Sequence, residues 1–297
     1  MRTATRKFLI ITADDFGLHE AVNEAVEQAS RSGVLTAASL MVGAPATADA
    51  VRRAHTLPQL RIGLHLVLAD GCAVLAPHLI PALVDAAGRM DSQMFAKAVR
   101  YFLLPQVRLQ VAAEVRAQFS AFAQTGLVLD HVNVHKHFHL HPSLLEIVLR
   151  IGREFGLSAV RVPYEPMWFA ARGAGWLSSV NAALLAPWMS WMKYRLHRAR
   201  ILHNDSIFGV AASGAMDEAK LLEIIARLPM GITEIYLHPG TRSGGSLAAS
   251  MSKYRHADEL AALLSSRVRV AIDSANVELG GYSDALRALG PLTARTA

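Results

Sequence analysis

The sequence predicts an α/β protein, a distorted parallel (β/α) barrel of about seven strands forming one domain over residues 1–297. Three observations predict it. Short apolar, β-branched runs alternate with helix-period segments along the chain, the pattern of strand–helix–strand units and a parallel sheet. Polar residues able to do chemistry fall where those runs end, and in such a barrel the strand ends converge on one face. No low-complexity linker or short repeat interrupts the alternation. A composition of 52% hydrophobic and 18% charged residues leaves enough apolar bulk for a single large core.

In chain order, the first strand is expected over Phe8–Ala13. A helix follows, because Leu18, Ala21, Val22, Ala25, Val26 and Ala29 share one helical face and Gly33 supplies a stop. Strands are expected next at Ala37–Val42, Arg61–Leu66 and Leu129–His135. Pro142 stands at a first helical position, ahead of Leu144, Leu145, Val148 and Leu149 on one face. Ala159–Val162, Ile232–His238 and Val268–Ile272 complete the strands, with Ser206–Val210 a weaker candidate.

Residues 167–200 read as a Trp-rich apolar helical insertion. All four tryptophans, Trp168, Trp176, Trp188 and Trp191, lie within it, and Lys193, Arg195, Arg198 and Arg200 follow. Residues 173–192 carry no charge, but Ser178, Ser179, Asn181 and Ser190 are polar and Pro187 divides the segment into two shorter helices. That pattern suits a membrane interface better than a span, with rings at headgroup depth and cations against anionic lipid. The alternative is a helical hairpin packed on the barrel, its tryptophans serving as core.

The formal charge of +6 is scattered, with no run of five or six like charges, so nucleic acid is not an expected partner. A single cysteine, Cys72, excludes an intrachain disulfide and a cysteine-built zinc site. The apolar run Phe8–Ile11 is too short for a signal-peptide core. The expected location is therefore cytoplasmic, extended by the tryptophan segment to peripheral attachment at the inner membrane.

Four motifs carry chemistry. Asp14 and Asp15, directly after the first strand, can divide metal binding and general-base work between them, or can merely cap the next helix. His65 ends an apolar strand, where it is either a ligand or a buried structural histidine. Five histidines, His131, His135, His137, His139 and His141, occupy alternate positions in HVNVHKHFHLHP, and a period of two puts them on one face as long as the strand lasts; His141 lies outside the residues described below. His238, ahead of a Pro-Gly turn, can protonate a leaving amine or simply shape the turn. Arg161 also ends a strand, placed to orient the base carboxylate, to bind substrate oxygen or to form an ordinary ion pair. Trp188 and Trp191 join His137 and His139 as candidate substrate contacts.

The stretches TADDFG (Thr12–Gly17), GVLTAASLM (Gly33–Met41), GLHL (Gly63–Leu66), HVNVHKHFHLHP (His131–Pro142) and HPG (His238–Gly240), in this order, resemble the YdjC/ChbG-like carbohydrate deacetylases. DHVNVHKHFHLHP and ADDFGLHEAVNEAVE are most similar to the hopanoid-biosynthesis-associated, HpnK-like branch. The resemblance implies a deacetylase-like barrel with one divalent metal ion on Asp15, His65 and His135, Asp14 as general base and His238 as candidate general acid. On ligand grounds zinc is favoured, with magnesium the family's alternative. One departure is visible: many members carry Asp where Asn133 stands. The implied substrate is an N-acetylglucosamine-containing lipid, an N-acetylglucosaminyl hopanoid first, or a soluble chito-oligosaccharide. Two rivals share these residues, a metal-dependent phosphoesterase and a non-enzymatic, membrane-associated glycolipid-binding subunit.

Overall fold

The computed structural model describes residues 6–90, 104–140, 142–173, 176–242, 247 and 249–289. Its centre is β1 (Lys7–Phe16), whose side chains are buried on both faces, as a parallel strand covered by helices requires. β2 (Ala37–Leu40) and β3 (Arg61–Leu66) follow; β4 (Gly71–Cys72) and β5 (Arg89–Met90) form a separate antiparallel pair. β6 (Val132–Val134), β7 (Ser206–Phe208) and β8 (Gly231–Leu237) complete a parallel sheet of order β6-β3-β2-β1-β8-β7, and β9 (Glu278–Leu279) pairs with the start of β1.

The sheet continues from β6 towards β7 through an irregular segment. Val132 bridges Val160, Ala159 bridges Leu202, and Ile207 N–H donates to the Tyr164 carbonyl at 2.9 Å. These contacts curl the sheet into a distorted barrel. The expected strand Ala159–Val162 is thus present only as bridges. Pro163 removes a ladder donor, and the Asn204 side chain takes the neighbouring strand's place, accepting from Val162 N and donating to Val162 O, each at 2.7 Å. The expected strand Leu129–His135 is likewise shorter, confined to Val132–Val134.

Helices cover the outside: α1 (Glu20–Ser32), α2 (Thr47–Ala54), α3 (Pro105–Gln124), α4 (Pro142–Gly152), α5 (Met167–Gly173), α6 (Trp176–Arg198), α7 (Glu218–Ala226), α8 (His256–Leu264), α9 (Ser266–Ser274) and α10 (Tyr282–Leu289). α1 buries the expected Ala21, Val22, Ala25, Val26 and Ala29, and Gly33 ends it where a Cβ would lie 2.5 Å from the Leu263 carbonyl. Strand alternation splits the core. Leu9, Ile11 and Ala13 face the helices, whereas Phe8 and Ile10 join Ala37, Ala159, Leu202 and Ile232 as an apolar layer inside the barrel.

Two expectations are corrected. Val268–Ile272 is helical, in α9: Ser265 caps it by accepting from Arg267 N and Val268 N, and Val268 and Ile272 form a buried i,i+4 pair while Val270 is 63% exposed. The β-branched run made it look like a strand. Pro187 does not divide residues 167–200 where expected, because α6 runs through it. One lost N–H need not end a helix, and downstream of it Met189, Met192 and Leu196 are buried. Among the described residues no helix is long and apolar enough to cross a membrane.

Candidate metal centre

Asp15, next to last in β1, is in a left-handed conformation, φ 62°, at an irregularity in the β1–β2 register, and Gly17 just past the strand has φ 98°. Such a backbone costs on the order of 1–3 kcal/mol for a non-glycine residue and is held where a side chain must be aimed. It aims Asp15 at His65 from β3 and His135 from the end of β6. Asp15 Oδ1 lies 3.3 Å from His65 Nε2 and 3.3 Å from His135 Nδ1, and the two histidine nitrogens are 3.2 Å apart.

The three donors therefore form a nearly equilateral triangle. An ion with tetrahedral bonds of about 2.0–2.1 Å spaces its ligands roughly 3.3 Å apart, so the set fits a divalent metal without rearrangement. Saturation of hydrogen bonds points the same way. Asp15 Oδ1 and Oδ2 and His135 Nε2 are buried with no hydrogen-bond partner among the described residues. Burial alone would raise the Asp15 carboxyl, but the surrounding histidines outweigh it and hold it well below the usual range.

His65 Nδ1 is 2.8 Å from Asn133 Oδ1, which fixes the proton on Nδ1 and leaves Nε2 free as a ligand. The other end of the same amide donates to Asp14 Oδ1 at 2.9 Å. An aspartate at 133 could accept from His65 but could not donate to Asp14. The departure noted in the sequence therefore replaces a charge with a donor.

Asp14 is gripped from behind. Arg161 gives it a two-pronged bond, Nη1 to Oδ2 at 2.5 Å and Nη2 to Oδ1 at 2.9 Å, and gives Glu234 two more, at 3.0 and 2.8 Å. Burial would raise Asp14, but Arg161 and the nearby histidines overcome it and keep it ionised. The expectation that Arg161 contacts substrate is corrected: it is fully buried, with its guanidinium committed to two carboxylates. Asp14 Oδ1 accepts twice and Oδ2 once, which leaves one Oδ2 lone pair for a further proton.

His238 follows β8, its Nε2 3.9 Å from Asp15 Oδ2, and burial lowers its pKa. Asp14, His65, His137, Tyr236, His238 and Tyr254 line a pocket of about 160 Å³, well under the roughly 300–1,000 Å³ that engulfs a drug-sized ligand. His137 Nε2 is 3.2 Å from the Tyr236 hydroxyl. His131 is not at this site: it lies deeper, between Asp130 Oδ2 at 2.9 Å and Ser39 Oγ at 3.1 Å, its ring filling the space a Gly63 Cβ would need. The side chain of His139 falls outside the described residues. Trp188 and Trp191 stack on each other 5.0 Å apart on α6 and are not among the pocket's lining residues. Sequence reasoning missed Glu234 and Tyr236, although both alternate with apolar residues in Ile232–Leu237 and so share a face with His238.

The profile of YdjC-like proteins matches residues 8–274. The chain belongs to the YdjC-like family. A carbohydrate deacetylase of Brevibacillus brevis is 38% identical over 160 residues, 54% of this chain and 59% of that one, so the match spans less than two thirds of that relative. A carbohydrate deacetylase of Clostridium beijerinckii is 26% identical over 278 residues, covering 93% of this chain and 99% of its own. The fold is that of a crystal structure from Enterococcus faecalis V583, named for cellobiose-phosphate cleavage, at a TM-score of 0.72 and 23% identity over 94% of this YdjC-like chain and 99% of that one.

Proposed function

We propose that this YdjC-like protein is a metal-dependent hydrolase that removes the acetyl group from an N-acetylated sugar. The observation that carries the reading is the triangle of Asp15, His65 and His135 beside an ionised Asp14 at the mouth of a small pocket. The ion would polarise the acetamide carbonyl and acidify water. The triangle's spacing favours zinc, with magnesium the alternative.

The chain's own residues do the rest. Asp14, oriented by Arg161 and Asn133, takes a proton from water as the oxygen attacks the carbonyl carbon. His238 protonates the nitrogen as the carbon–nitrogen bond breaks, giving acetate and a free amine. Its lowered pKa makes the protonated imidazole a stronger acid. The pocket is sized for an acetamido group entering end-on, leaving the sugar at the rim near His137 and Tyr254.

The substrate we favour is an N-acetylglucosaminyl hopanoid, on the resemblance of the Asp14–Asp15 and histidine motifs to that branch; a soluble chito-oligosaccharide is the alternative. The Trp188–Trp191 stack, on a helix whose Tyr194 is 58% exposed, is the surface we assign to lipid and membrane. Part of the basic cluster is turned to the protein instead: Lys193 donates to the Asp205 carbonyl and Arg195 pairs with Glu146. The test is mass spectrometry for acetate loss from N-acetylglucosaminyl lipid and from chitobiose, with and without chelator, beside a phosphate-release assay. Phosphate release in place of acetate would move the chain to the phosphoesterases, and binding without turnover would make it a glycolipid-binding subunit. Trp188→Ser with Trp191→Ser should lower liposome binding and turnover of the lipid-linked substrate but spare chitobiose. Loss of both activities together with the melting temperature would make the segment core.

A further inference from the structure

Tyr282 opens α10, beyond residues 8–274 matched by the family, yet it is fully buried at the end of the barrel away from the metal triangle. The chain reaches that position through several separate anchors. Gly280 N–H donates to the Leu9 carbonyl of β1 at 3.2 Å. Arg61 of β3 forks onto Asp284 at 2.9 and 3.0 Å. The Asp130 carboxylate, just before β6, accepts from Tyr282 N at 3.0 Å and Ser283 N at 2.8 Å and so caps the helix from another strand. Gly281 is tight by necessity, since a Cβ there would meet Arg61 Cγ at 2.4 Å.

The phenol these anchors deliver has one proton, and two acceptors stand near it. Glu234 Oε2 is at 2.5 Å and Asn204 Oδ1 at 3.1 Å. The shorter contact, to the carboxylate, takes the proton. Glu234 then has each oxygen bonded twice: Oε2 by Tyr282 and Arg161 Nε, Oε1 by Thr12 Oγ1 at 2.6 Å and Arg161 Nη2. A saturated Glu234 has no freedom to rotate, and Arg161 is the side chain that joins it to Asp14. The chain of contact runs from α10 to the base in three hydrogen-bonded steps, all buried.

We infer that Tyr282 is a positioning residue for hydrolysis: through Glu234 and Arg161 it fixes where the Asp14 carboxylate points. This rests on the deacetylase reading above. Without the hydroxyl, Glu234 Oε2 loses one of its two bonds and can turn, carrying the guanidinium fork with it. Misplacement of a catalytic group by about 1 Å costs on the order of 10²-fold, and a partial displacement correspondingly less.

Three variants test it, with acetate release, metal content and melting temperature measured on each. Wild type must release acetate; if it does not, the deacetylase reading fails before this inference is reached. With wild type active, Tyr282→Phe should lower kcat by about tenfold at unchanged KM and unchanged metal content, and its crystal structure should show Arg161 moved from its two bonds to Asp14. Glu234→Gln should give a similar kcat loss without an added loss when combined with Tyr282→Phe. Asp284→Asn loosens the same helix without touching the phenol, and should lower the melting temperature with kcat intact. Wild-type kcat in Tyr282→Phe, or a kcat loss in Asp284→Asn that follows the melting temperature as closely as in Tyr282→Phe, would overturn the inference and leave Tyr282 as packing.

Discussion

The barrel holds two buried clusters built from the same residue types, and they are opposites. At the mouth, Asp15, His65 and His135 face one another with both carboxylate oxygens and one imidazole nitrogen lacking hydrogen-bond partners among the described residues. Deeper in, Asp130, His131 and Ser39 make an aspartate–histidine–serine row in which both histidine nitrogens are engaged, and Asp130 also caps α10. The deep row looks like a hydrolase triad on paper, but Ser39 and His131 are fully buried. What distinguishes a site from a strut is unfilled bonding capacity, not the presence of Asp and His. A structural cluster spends its donors and acceptors on the protein, whereas a functional one keeps them for a ligand.

The largest effects should come from breaking the mouth cluster. Asp15→Ala, His65→Ala or His135→Ala should each lose the ion and reduce turnover to the level seen with chelator, by metal analysis and acetate assay. Metal-free His65→Ala should also melt below metal-free wild type, since it removes the buried bond from Nδ1 to Asn133 Oδ1. Full metal occupancy in any of the three would take that residue out of the ligand set.

Asp14→Asn comes next. It should retain the ion while turnover falls roughly 10²–10⁴-fold, the usual worth of a positioned base. Near-normal turnover with metal bound would place the base elsewhere.

The converse experiment is His131→Ala, which should cost about 2–4 kcal/mol of stability in denaturant titration and leave metal content unchanged. Loss of metal with stability intact would erase the distinction between the two clusters.

The smallest effect lies behind His238, at Glu259 of α8, whose buried carboxylate accepts from Met216 N at 2.9 Å and His238 N at 2.5 Å. Burial pushes its pKa up to about 7 from 4.5. Between those values the folded chain holds a proton that the unfolded chain has released, so this group's contribution is full below pH 4.5 and declines as pH rises to 7. The change is at most about 3 kcal/mol. Glu259→Gln should flatten that part of the stability–pH curve, and an unchanged slope would assign it to other groups.

The barrel was legible because its strands are apolar runs with helices between, and the Asp15, His65 and His135 cluster because each stands at or near the end of a run. The alternation in Val132–His135 also placed Asn133 and His135 on one face with His131. Alternation says nothing about depth along that face, and His131, which shares it, belongs to the interior. Beyond His135 the period fails, because Lys136 and His137 adopt φ of 55° and 56°, a turn that the sequence announces with no glycine. α10 stayed invisible for a different reason: its partners, Asp130 and Glu234, are 152 and 48 residues away from Tyr282, and no local pattern encodes such pairings.

Gly63 has one more consequence. A Cβ at this position would stand 2.5 Å from His131 Cε1 and Nε2, so a residue two places from the candidate ligand His65 must stay bare for a histidine next to another strand. GLHL and HVNVH are thus a single heritable unit written in two places. A chimera that imports the β3 segment from a barrel lacking the deep histidine would bring in a side chain at 63 and wedge β3 away from β6. Recombination between such barrels is expected to succeed only where both segments cross over together.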